Sequence, residues 1–313
     1  MCRRNFMLVA LIIARTAHIG ATILLMGTFT FKLITLGPRG RAGSDDFDEL
    51  QRRLLRLAQW SLIAALLSAL LWFWLEVVSM SGLPPMRALS TTAWQMVLFE
   101  TKFGRVWQLR LGLIAVAFAL VELGLVQVRA RHEVVMIVSL ISIVLLVSLA
   151  WISHAAAARV QPLGLLGDAV HLCAAGGWIG GLAPLVIFLR RPVSFSLGER
   201  FALALERFST LSFCCVSVLI VTGISNSWLL VGSIRALFTT RYGLLLLCKL
   251  ILFGILVGIG ARNRLAIKSE LRAQSGSDLL PQLRRNVISE MCFGAAVVAI
   301  VGCLGATPPL GHP

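Results

Sequence analysis

Residues 168–189 read DAVHLCAAGGWIGGLAPLVIFL. They belong to an apolar run over 163–189, and a membrane helix needs about 20 such residues. The run lacks the alternation of a half-buried strand. It holds Asp168 and His171. An ionisable residue inside a bilayer is costly and is by default a functional candidate. A similar segment lies upstream, where residues 15–27 read RTAHIGATILLMG. His18 aligns with His171, Gly27 with Gly180, and Arg15 with Asp168.

Apolar runs also occur at 6–36, 57–80, 104–128, 134–154, 208–231, 241–261 and 286–304, so eight spans are predicted. Arg15 and His18 interrupt the first run, which is also too long for a signal peptide, so a retained span is expected. Of the 313 residues, 58% are hydrophobic and 14% charged. An ordinary soluble domain has about 25% charged residues. This composition excludes a soluble globular enzyme and a large extramembrane domain.

The chain has 29 Lys and Arg against 14 Asp and Glu, a formal net charge of +15. Most of the basic residues fall in the loops after spans one, three, five and seven, among them Arg52, Arg53, Arg56, Arg190, Arg191, Arg262 and Arg264. The excess therefore marks cytoplasmic loops rather than a nucleic-acid partner, and it puts both termini in the periplasm. Arg3 and Arg4 argue the other way and are outvoted.

The likeness between halves continues past the first spans. The second spans open at Arg56 and Arg207. The third open with TKFGRVWQLRL from Thr101 and TRYGLLLLCKL from Thr240, which share Thr, basic, aromatic, Gly and then Arg110 or Lys249. Spans four and eight match poorly. The expected fold is an all-α polytopic membrane protein, a single domain over 1–313. About eight transmembrane helices would form two parallel four-helix repeats, approximately 1–154 and 155–313, related by an axis along the membrane normal.

Arg15/His18 and Asp168/His171 are both spaced i,i+3, so each pair shares a helix face. Arg15 and Asp168 are expected to neutralise each other between the halves, with the two imidazoles converging one turn deeper. His154, in WISHAAAARVQP, ends span four on the outer side. His18, His171, His154 and Asp168 together would suit divalent copper or zinc, while monovalent copper prefers sulfur. Met80, Met86 and Met96, with Glu76 just inside, would receive or hand on a soft metal at the outer face. Arg110 and Lys249 are expected to snorkel to the outer interface. Trp72, Trp74, Trp94, Trp107, Trp151 and Trp228 are expected to be interfacial aromatics. Gly176/Gly180 and Gly177/Gly181 read as helix-packing pairs. The seven cysteines have no zinc or disulfide spacing. His132 and His312 read as solvated. Neither a P-loop nor an H-E-x-x-H motif occurs.

The chain resembles the CopD family, the copper-resistance D proteins of bacterial inner membranes. The resemblance is carried by DAVHLCAAGGWIGGLAPL from Asp168, RFSTLS from Arg207, TGISNSWLLVGS from Thr222, TTRYGLLLLCKL from Thr239, RNRL from Arg262 and GATPP from Gly305. FGRVWQLRLGL from Phe103, Met80–Gly82 and the first span also fit. It implies a multi-pass inner-membrane protein of copper homeostasis, a non-enzyme that binds or moves copper. It also implies a separate periplasmic copper-binding partner of the CopC type. His18, Asp168 and His171 match the family's polar membrane positions, and His154 matches less closely. Two rival readings of the same residues remain: a b-type cytochrome with haem held between two histidines, and a membrane scaffold that docks a periplasmic copper chaperone without transporting.

Overall fold

Lipid offers no partner for a backbone N–H or C=O, so each apolar run must satisfy its own hydrogen bonds as a helix. A computed structural model describes residues 2–36, 45–126, 132–152, 161–190, 199–231, 233–273 and 279–307. Among them the regular structure is helical throughout. The elements are α1 (Cys2–Thr30, continued by a π-helical turn Phe31–Leu36), α2 (Asp45–Ser81), α3 (Pro85–Ser90), α4 (Ala93–Glu100), α5 (Lys102–Val126) and α6 (His132–Val147, continued by a 3-10 turn Ser148–Ile152). They are followed by α7 (Gln161–Leu189), α8 (Glu199–Val231), α9 (Ile234–Thr239), α10 (Arg241–Ala273) and α11 (Leu279–Gly305). Eight of the described helices are long and apolar enough to cross a membrane. The described part of the chain is thus an all-α polytopic membrane protein. Helices α2 and α10 run beyond the predicted apolar limits, because their polar ends stay helical past the hydrophobic stretch.

Helix α1 packs against α2 and α7, and α7 also packs against α8 and α11. Small residues make the α1–α7 contact possible. A Cβ at Gly27 would overlap the backbone of Gly180, and one at Gly180 would overlap the carbonyl of Ile23. The expected glycine pairs of α7 serve two sides. Gly176 and Gly180 face α1, while Gly177 and Gly181 face Cys215 and Phe208 of α8. Helices α8 and α10 are peripheral and turn Phe213, Val221, Ile251 and Ile255 outward, as lipid-facing helices do.

Two local structures match. The hydroxyl of Thr101 accepts from the N–H of Gly104 at 2.9 Å and donates to the carbonyl of Val97 at 2.5 Å. The hydroxyl of Thr240 accepts from the N–H of Gly243 at 2.9 Å and donates to the carbonyl of Ala236 at 2.8 Å. Each threonine caps a long helix by holding a third-position N–H that has no intrahelical partner. Each glycine lets the preceding short helix, α4 or α9, lie directly on that helix start.

Candidate functional site

His18 lies at the centre of the first four spans and is fully buried. Its Nδ1 donates to the carbonyl of Ala65 at 2.9 Å and stands 3.2 Å from Ser68 Oγ. Arg110, also fully buried, donates to the Nε2 at 3.2 Å from Nε and at 2.5 Å from a terminal nitrogen. The guanidinium further donates to Ser148 Oγ at 2.5 Å and to the carbonyl of Leu145. Trp72 and Trp107 pack on the imidazole with centroids 5.7 and 5.5 Å away. Both ring nitrogens of His18 are therefore in use. Arg110 does not snorkel: the histidine lone pair, the Ser148 hydroxyl and the Leu145 carbonyl hold it inside. Trp72 and Trp107 are likewise core residues, while Trp151 and Trp228 are exposed as interfacial aromatics would be.

An open cavity of about 550 Å³ is lined mostly by the second half and completed by Arg15, Ile19 and Ile23 of α1, Trp72 of α2, and Leu149 and Ile152 of the first half. Arg15 reaches it from α1, Asp168 and His171 from α7, Asn226 from α8, and Tyr242 and Lys249 from α10. His18 does not line it, so these two histidines do not meet there. The Thr222 hydroxyl gives its proton to the carbonyl of Val218 at 2.7 Å, so it can only accept from His171 Nδ1, 2.8 Å away. That fixes the neutral ring as the Nδ1–H tautomer and puts the lone pair on Nε2. Among the described residues nothing hydrogen-bonds this Nε2.

Lys249 acts electrostatically on both His171 and Asp168, and Tyr242 has Asp168 as its charged neighbour. Arg15 lines the same cavity as Asp168, its equivalent in the second half. Its charged neighbour, however, is Glu76, and its guanidinium lies over Trp72 at 4.8 Å. Trp72 Nε1 in turn donates to Glu76 at 3.0 Å.

Residues 6–161 match the family described as "Copper resistance protein D-like, N-terminal domain", and residues 202–304 match "Copper resistance protein D". The chain belongs to the copper-resistance protein D family. It is a CopD-type, multi-pass inner-membrane protein of copper homeostasis. Copper resistance protein D of Pseudomonas syringae pv. tomato is 27% identical over 69% of this chain and 71% of its own. Inner membrane protein YebZ of Escherichia coli is 28% identical over 83% of this chain and 87% of its own. Copper transport protein CutJ of Bacillus subtilis is 26% identical over 85% of this chain, which spans about half of that relative (48%). No solved structure matches the chain.

In this CopD-family chain the other sequence-named residues are spread out. Met80 ends α2, Met86 lies on α3 and Met96 on α4; all three are exposed and none lines the cavity. His154 lies outside the described residues. Among the described residues no group of three or more His, Cys, Asp or Glu side chains could hold a metal ion. His171 and Asp168 are the two nominated ligands that share a cavity. Sequence reasoning missed Thr222, Tyr242 and the inward turn of Arg110 and Lys249. The signal for the last two was present: they hold equivalent places in the two Thr-basic-aromatic-Gly segments, just as His18 and His171 hold equivalent places in the segments before them.

Proposed function

We propose that the protein carries copper across the inner membrane by way of the cavity that holds His171 and Asp168. The supporting observation is the His171 ring, whose Nδ1–H is engaged by Thr222 so that Nε2 keeps its lone pair beside a carboxylate one turn away. Imidazole nitrogen and carboxylate oxygen are both competent copper ligands. In this scheme copper arrives at the outer face near Met80, Met86 and His154, handed over by a CopC-type periplasmic protein. It displaces the Lys249 cation from Asp168 and sits between that carboxylate and His171. His18 serves the fold, because copper would reach it only after Arg110 had left.

Both termini lie in the periplasm in this reading, supported by the basic loops after spans one, three, five and seven. The two halves are parallel repeats, supported by the matching threonine caps and by the contact of the aligned Gly27 and Gly180. The halves then differ in one respect: His18 and Arg110 bond each other, while His171 and Lys249, at the equivalent places, line a cavity that residues of both halves enclose. Haem held between His18 and His171 finds no support here, since Arg110 occupies the His18 Nε2.

Copper flux across proteoliposomes containing the purified chain tests the proposal. Wild type should move copper, and His171→Ala and Asp168→Asn should reduce flux to background without loss of fold. A folded wild-type chain that moves no copper would overturn transport and leave the scaffold reading.

A further inference from the structure

Glu290 of α11 is almost completely buried, 3% exposed, within a membrane-spanning helix. The Nδ2 of Asn263, itself 6% exposed on α10, donates to the Glu290 carboxylate. Trp178 of α7 also hydrogen-bonds this carboxylate. Asn286 Nδ2 donates to Asn263 Oδ1 at 2.8 Å. Trp178 meets Phe253 edge to face, with centroids 6.1 Å apart, and Phe253 lines the cavity that holds His171. A continuous series of contacts thus runs from the cavity through Phe253, Trp178, Glu290 and Asn263 to the half-buried Asn286.

The chemistry of this cluster decides its ligand. Every neighbour that bonds Glu290 presents an N–H, and the Asn263 oxygen is occupied by Asn286. A copper ion needs lone pairs, and here it would find one carboxylate among donors. A buried anion without a cation is costly, and protonation is the ordinary way to remove the charge.

Among the described residues, no charged side chain on the helices packed around Glu290 bonds it. On α10, Arg262 and Lys268 are exposed and Arg264 donates to the carbonyl of Ser209 at 2.9 Å. On α7, Asp168 and His171 belong to the cavity. On α1, Arg15 lies against Gly305 and His18 is bonded to Arg110; in the turn that follows, Lys32 stands by Phe29 with its Nζ not hydrogen-bonded among the described residues. On α11 itself Arg284 and Arg285 are exposed. The groups that act on Glu290 besides burial are Asn263 and Trp178.

We infer that Glu290 takes up and releases a proton inside the membrane, on the far side of the Trp178–Phe253 pair from the His171 cavity. Proton exchange at this site is coupled to copper movement. The coupling rests on the transport reading above, whereas proton binding itself does not.

Two measurements on the full-length protein test it. Infrared difference spectra between acid and alkaline pH should show the carbonyl stretch of a protonated carboxyl group, absent in Glu290→Gln and displaced in Glu290→Asp. In proteoliposomes loaded with a pH dye, copper added to wild type should drive proton movement. Glu290→Gln should lose that movement while still binding copper, which also reports that it is folded. A carboxyl band unchanged in both variants, or wild-type proton coupling in folded Glu290→Gln, would overturn the inference. Copper flux absent from wild type, with the Glu290 band present, would instead remove transport and the coupling and leave the proton site.

Discussion

Arg110 donates twice to the Nε2 of His18, and the two side chains fill the middle of the first four spans. Removing the imidazole leaves a buried guanidinium short of a partner. Leaving a buried donor without its acceptor typically costs about 1–3 kcal/mol, and more for a charged group. His18→Ala should therefore lower thermal stability in detergent, followed by tryptophan fluorescence, far more than His171→Ala. Equal stability of the two variants would contradict this assignment.

Gly27 and Gly180 touch backbone to backbone, so a methyl group on either must push α1 from α7. Overpacking of this kind costs about 1–3 kcal/mol. Gly27→Ala and Gly180→Ala should each lower the unfolding temperature. Gly254, around which a Cβ would find open space, supplies the control. Gly254→Ala should be neutral or stabilising, since alanine is the better helix former by roughly 1 kcal/mol.

The threonine caps make the same local bonds but stand in different surroundings. Thr101→Ala and Thr240→Ala should each cost about 1 kcal/mol of stability, the usual worth of such a cap. Tyr242 and Lys249 of the cavity follow Thr240 on α10. Copper titration should therefore detect Thr240→Ala as weaker binding, while Thr101→Ala binds as wild type does. An effect of equal size in both would show that the cap does not position the cavity.

Lys249 competes with any cation that approaches Asp168 and His171. Lys249→Met should tighten copper binding several-fold, measured by competition with a chelator of known affinity. Asp168→Asn should weaken it. The effect should persist as ionic strength rises, because a charge set into the protein is screened less than one on the surface. Unchanged affinity in Lys249→Met would show that copper binds elsewhere.

Much of the architecture is legible in the chain. Eight spans follow from hydropathy summed over windows of helical length, and the basic loops follow from residue type alone. Both are local properties. The depth of His18 and His171 is also local, since it depends on residues counted along a helix. The equivalence of Thr101 with Thr240 and of Arg110 with Lys249 is visible as a spacing. The polar cluster of Glu290, Asn263 and Asn286 is not, because Asn263 lies on a different helix from the other two, and only packing brings it to them.

Two histidines at equal depth were therefore expected to converge, and only packing could separate their roles. The direction a side chain faces depends on how its helix is rotated against its neighbours. That rotation is set by contacts such as Gly27 on Gly180, which form between residues far apart in sequence. The amino-acid sequence by itself determined an eight-span all-α membrane protein and its charge asymmetry, and it nominated the polar residues within the spans. The tertiary structure alone decided that Arg110 takes the lone pair of His18, while Thr222 leaves that of His171 open beside Asp168 in a cavity.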